Sequence, residues 1–223
     1  MPRIARIIVE GLPHHITQRG NRKQKVFFSE RDYQAYLTLL GAHSKLFNID
    51  VESYCLMPNH IHMVLVPHKK KDLALAVGMT HQKYTGIINK RENWRGYLWQ
   101  GRFSSFVMDD SYLLAATRYI LFNPVKAGIV KKPWDYKWSS AKHHLGLEKN
   151  PIITGSLLNT IVDDWKKFLT ADLKDGEEKL IKLHERTGRP LGCNSFIEKL
   201  EKILDMKLKK DKPGPKSKGD IIK

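Results

Sequence analysis

Two apolar runs, IDVESYCLM and HIHMVLVP, follow one another with only Pro58-Asn59 between them. Both are rich in residues that suit a pleated sheet, and the Pro-Asn break predicts an antiparallel pair of strands. Their surroundings extend the pattern. PHHITQRG (13–20) alternates weakly and reads as an earlier strand with a turn at Gly20-Asn21. Ser29 opens a helix with Asp32 as its capping-box partner, and Tyr33, Tyr36, Leu37, Leu39, Leu40 and Leu46 recur at helical spacing. A second helix starts at Asp72 and runs to about Lys90. YLWQGRFSSFVMD is a fourth strand with a bend expected at Gly101, and a third helix, capped by Asp110 or Ser111, ends near Pro124. The order β-α-β-β-α-β plus a helix predicts an α+β fold: a ferredoxin-like antiparallel sheet with helices on one face, followed by a helical C-terminal extension.

HIHMVLVP places His60 and His62 two residues apart, so both point to the same face, about 6–7 Å apart along the strand. Two imidazoles so placed can converge on one cation; a half-buried sheet pair without a ligand is the alternative, and the spacing alone favours it. On the third helix, Tyr119 and Asn123 are four residues apart and about 40° apart around the axis. They lie on the flank of the apolar stripe Leu113, Ala116, Thr117 and Ile120. An amide oxygen suits Mg²⁺ or Mn²⁺ and would complete a His, His, Asn set, with a Tyr beside it able to attack a phosphate. A purely structural Tyr–Asn pair is the alternative.

The chain has 39 Lys and Arg against 23 Asp and Glu, a net charge of +16, which favours a polyanionic partner, nucleic acid first. Arg19, Arg22, Lys23, Lys25, Arg95 and Arg102 are candidate DNA contacts, with Trp99 and Phe103 as stacking surfaces. Each could instead be a solvated charge or a core aromatic. Cys55 and Cys193 have no zinc or disulfide spacing and fit a reducing cytosol. MPRIARIIVEG has too short an apolar stretch for a signal peptide, and no run approaches the ~20 apolar residues of a membrane span. A cytoplasmic location without membrane association is expected.

GLPHHITQRGN, YCLMPNHIHMVL, LWQGRF, RYILFNPVKAGIV and RTGRPLG, in this order and spacing, resemble the HUH single-tyrosine transposases, and among them the REP-associated tyrosine transposases. The resemblance covers about residues 8–145 and extends more loosely to 192. It implies that His60 and His62 bind a divalent ion, Mg²⁺ or Mn²⁺, with Asn123 as a further ligand, and that Tyr119 is the nucleophile. It also implies the ferredoxin-like fold and a single-stranded DNA substrate carrying a REP-like hairpin. DNA would be cut and rejoined through a 5′-phosphotyrosine, by a monomer or a homodimer. His14 and His15 resemble a family segment near the DNA and receive no role. Two rivals are another HUH nicking endonuclease, such as a replication initiator or relaxase, and a nucleic-acid-binding regulator that cuts nothing. The intact set of four residues argues against the second.

The expected organisation is a catalytic domain over 1–148, a helical accessory region over 149–205 and a basic, disordered tail over 206–223. Around TGRPLG, the helices could form a helix-turn-helix-like module or pack on the catalytic domain. The tail sequence KKDKPGPKSK suggests an electrostatic arm, with a Pro-Gly-Pro-Lys stretch that departs from an AT-hook core. If it contacts DNA, its removal lowers the slope of log affinity against log salt concentration. An unchanged slope rules the contribution out.

Overall fold

The computed structural model describes residues 6–171 and 176–209. The strands are β1 (His14–Arg19), β2 (Ile49–Met57), β3 (His60–Pro67) and β4 (Ser104–Val107). Helices α1 (Glu30–Leu46), α2 (Lys70–Glu92) and α3 (Asp110–Lys126) follow β1, β3 and β4. Five shorter helices complete the described chain: α4 (Ala141–His144), α5 (Leu157–Ile161), α6 (Trp165–Phe168), α7 (Glu177–Thr187) and α8 (Asn194–Leu204). The sheet order is β2-β3-β1-β4, and its three neighbour pairs are all antiparallel. This is the ferredoxin-like α+β arrangement.

Alternation along the strands divides the sheet into two faces. Ile16, Tyr54, Leu56, Ile61, Met63 and Leu65 pack with Tyr36, Leu40, Leu73, Val77 and Tyr84 of α1 and α2. On the opposite face, Cys55, Met57, Val64 and Phe106 pack with Leu113, Ala116, Tyr119 and Ile120 of α3 and Ile181 of α7. The first two helices therefore cover one face, and the third helix and the extension cover the other. The Ser29–Asp32 capping box is present, and Asp32 also accepts from the Phe28 N–H and pairs with Arg91.

Two sequence expectations change. The fourth strand contracts to Ser104–Val107, because the backbone turns through left-handed conformations at Gly96 and Gly101. Trp99 keeps only a lone bridge to Gly20. The third helix does not stop at Pro124. The proline forgoes one N–H, but the Ala127 N–H still reaches the Asn123 carbonyl at 2.9 Å, and the turn falls at Gly128 (φ +68°).

The extension docks on the core. Leu191 pairs with the end of β4 through Leu191 N–H to the Val107 carbonyl (2.9 Å) and Asp109 N–H to the Leu191 carbonyl (3.1 Å). One Asp109 oxygen caps α3 by accepting from Tyr112 N–H, and the other accepts from Cys193 N–H at the start of α8. The TGRPLG segment thus packs on the end of β4 and the start of α3. Leu208 is buried with Ile7, Val9, Val107 and Leu200, so residues 206–209 are tied to the fold rather than belonging to a loose tail. A truncation that tests the basic arm should keep Lys209. The rest of the expected tail, 210–223, lies outside the described residues.

Candidate active site

The register of β1 against β3 builds the site. His15, Thr17 and Arg19 stand opposite Val64, His62 and His60, and paired residues in a ladder share a face. The ring centroids of His60 and His62 are 5.0 Å apart, and those of His15 and His62 are stacked at 5.2 Å. His15 Nε2 and His62 Nδ1 share a hydrogen bond of 3.0 Å. Asn59 Oδ1 lies 2.6 Å from His60 Nδ1 and fixes that ring from the other side.

Tyr119 reaches this face from α3. Its ring centroid lies 5.6 Å from that of His62 and 6.4 Å from that of His15, both edge-on. Asn123, one turn on, donates from Nδ2 to the Tyr119 carbonyl at 3.2 Å. Tyr119 is buried and His60 is half-buried, while Arg19, at the end of the ladder, is exposed. The cluster therefore opens to solvent along the His60–Arg19 edge.

Two groups in the cluster, His15 and Glu185, lie outside the set of site residues that the sequence predicts. His15 could have been found from the alternation of HHITQRG, which puts it on the His62 face. Glu185 is harder to find. It lies one turn after Ile181, the fully buried residue of α7, and so shares its inward side. Its Oε1 is 3.5 Å from His62 Nδ1 and 3.8 Å from His15 Nε2. His15, His62 and Glu185 each offer one ligand atom, and these lie within 4.8 Å of one another.

Burial dominates the electrostatics. It lowers the pKa of His15 to about 3 and that of His60 to about 4, the latter with help from the Arg19 charge. His62 is held well below its ordinary value by burial and by the neighbouring His15, His60 and Arg19. All three imidazoles are neutral near pH 7, the form that ligates metal. Burial raises the Tyr119 phenol, as do Glu185 and Glu178, with Asn123 and Arg19 opposing. Glu185 is pushed up to about 7, again chiefly by burial.

The remaining candidates separate by exposure. Arg22, Lys23, Lys25, Arg95 and Arg102 are on the surface. Arg22 and Lys23 are consecutive residues with left-handed backbone (φ 52° and 62°), uncommon for non-glycines. Their loop is clamped by Gly20 N–H to Asn59 O (2.8 Å), Asn21 N–H to Leu98 O (2.8 Å) and Asn59 Nδ2 to Lys23 O (3.0 Å). Gly20 is required there: an added Cβ would lie 2.3 Å from the Gln24 carbonyl oxygen. Trp99 and Phe103 are not surface platforms. Both are buried in the α1/α2 core, Trp99 stacked on His81 at 4.6 Å and Phe103 beneath the Arg6 guanidinium at 3.8 Å.

Residues 8–122 match the family described as IS200-like transposase. The chain belongs to that family. A Haemophilus influenzae protein named as a REP-associated tyrosine transposase is 27% identical over 116 residues, which cover 47% of this chain. The match spans 66% of that relative's own length. A solved structure of a REP-associated tyrosine transposase bound to a REP hairpin superposes with a TM-score of 0.57 at 20% identity. It covers 70% of this IS200-like chain and 92% of the solved one, and at that identity the likeness speaks for the fold.

The depressed histidines make a pH prediction for this transposase-family chain. His14, His15, His60, His81 and His144 have folded pKa values near 4, 3, 4, 3 and 3. Between about pH 4 and 6.5 the unfolded chain binds more protons, so stability falls as pH falls. Each histidine that stays neutral contributes roughly 1.4 kcal/mol per pH unit below 6.5. Glu185, raised toward 7, and Glu52, also raised by burial, act in the opposite sense but are outnumbered by the histidines. The urea midpoint should drop clearly from pH 7 to pH 5, and a flat midpoint would contradict this electrostatic picture.

Proposed function

We propose that this protein is a cytoplasmic, metal-dependent single-stranded DNA transposase that cleaves and rejoins DNA at hairpin-flanked sites, with Tyr119 as nucleophile. The observation that carries this reading is the approach of the Tyr119 ring to within 5.6 Å of the His62 ring, on the face that also bears His60. Family membership over residues 8–122 supports the same reaction class. The REP-hairpin complex of the structural neighbour supports a hairpin as partner.

The residues fit a divalent ion held by His60, His62 and Asn123. Asn59 occupies His60 Nδ1, and His15 occupies His62 Nδ1, so each ring keeps Nε2 for a ligand bond. Asn123 uses its amide nitrogen within its own helix and keeps its oxygen. In each case one polar atom is tied to protein and another is left over, the arrangement that outer-shell support of a metal ligand requires. Bound Mg²⁺ or Mn²⁺ would neutralise charge on a phosphodiester and orient it.

The rest of the chemistry falls to the chain itself. The Tyr119 oxygen forms a bond to phosphorus as the bond from phosphorus to the 3′ oxygen breaks. In net terms the phenolic proton passes to that oxygen, leaving a 5′-phosphotyrosine and a free 3′-OH. Because one phosphoester replaces another, a second 3′-OH can reverse the step and join a different strand without a nucleotide cofactor. Arg19 sits where a phosphate would approach His60, and Arg22, Lys23, Lys25, Arg95 and Arg102 offer cationic surface for the backbone. Tyr119 and the histidines come together within one chain.

Tyr119→Phe should abolish covalent protein–DNA adducts on a denaturing gel with hairpin-bearing single-stranded DNA and Mn²⁺, a loss of at least 10³-fold. Retention of the same DNA on a native gel should change little. An adduct that persists in this variant refutes the assignment.

A further inference from the structure

Glu185 lies beyond the matched residues 8–122, in the stretch expected as an accessory region, yet its carboxylate enters the histidine cluster. We infer that Glu185, with His15, is the outer shell of the metal site: it holds the Nδ1 side of His62 so that Nε2 faces the ion. The inference rests on the reading that His60 and His62 bind the ion.

Three observations support it. Glu185 Oε1 is buried without a hydrogen-bond partner, as is His15 Nδ1. An unsatisfied carboxylate oxygen is costly, so a buried one aimed at a ligand imidazole calls for a proton donor. Loading His62 through Nε2 supplies that donor, because the ring's proton must then reside on Nδ1. Oε1 lies 3.5 Å from that atom, a small shift from hydrogen-bond distance, and a carboxylate is a stronger acceptor than the His15 imidazole. Finally, contacts elsewhere set the carboxylate's position. Ile181 is fully buried, Ser104 Oγ donates to the Glu185 carbonyl, Glu178 pairs with Lys126 at 2.5 Å, and Gly188 ends the helix in a left-handed turn. Helix α7 thus delivers Glu185 to the site as part of its docking.

Outer-shell carboxylates typically contribute 10–100-fold to metal affinity. The test is a Mn²⁺ titration of the full chain by calorimetry, comparing wild type with Glu185→Ala, Glu185→Gln and His60→Ala. Affinity should fall 10–100-fold in Glu185→Ala and less in Glu185→Gln, whose amide oxygen can still accept; it should fall further in His60→Ala. Imidazole ¹⁵N shifts give a second readout that general loosening would not mimic. The Mn²⁺-free wild type should carry the His62 proton on Nδ1, and Glu185→Ala should shift this tautomer balance. If Glu185→Ala binds within twofold of wild type and keeps the tautomer while His60→Ala loses binding, the outer-shell role is overturned and the His60–His62 site survives. If His60→Ala binds normally while Glu185→Ala loses the ion, Glu185 is itself a ligand, and both the inference and the site reading fail.

Discussion

Hydrogen-bond register between β1 and β3 is the constraint on which this molecule depends. It sets Arg19 opposite His60 and Thr17 opposite His62, with His15 two residues along. A slip of one residue would turn His15 and Arg19 toward the α1/α2 core and bring Ile16 and Gln18 to the site face. The register is protected by what the other face buries, since Ile16, Ile61, Met63 and Leu65 all belong to that core. Packing on the α1/α2 face therefore aligns the histidine cluster on the opposite one.

That opposite face is an unusual surface to bury. Imidazoles replace the aliphatic residues that would pack there more favourably, and burial holds them neutral. Aromatic edge contacts from Tyr119 and Phe106 and the His15–His62 hydrogen bond recover part of the lost solvation. The α3 helix is anchored from both ends of the architecture. Its N-terminus is capped by an aspartate that also holds the start of α8, and its last turn carries the Lys126 that pairs with α7. The C-terminal extension is thereby mechanically coupled to the tyrosine helix.

Much of this was legible in the sequence because it rests on local signals. Strand alternation gave the shared face of His60 and His62, the Ser29–Asp32 box marked a helix start, and i, i+4 spacing joined Tyr119 to Asn123. The element order implied the sheet. Resemblance supplied which residues to pair across the chain. What local pattern cannot supply is a contact fixed only by tertiary docking. Glu185 reaches His62 over more than a hundred residues, with no spacing rule to announce it. Trp99 and Phe103 look the same in sequence whether they stack on bases or, as here, on His81 and beneath Arg6. Pro124 reads as a stop, yet the helix tolerates it because only one hydrogen bond is forgone near its end.

The central claim is that one divalent ion sits between the sheet histidines and within reach of the Tyr119 hydroxyl. Crystals grown with Mn²⁺ and measured for anomalous scattering test it most directly. The account predicts a single strong peak at about 2.2 Å from Nε2 of both His60 and His62, with Asn123 Oδ1 facing it. A peak centred instead among His15 Nε2, His62 Nδ1 and Glu185 Oε1, or remote from Tyr119, would contradict it.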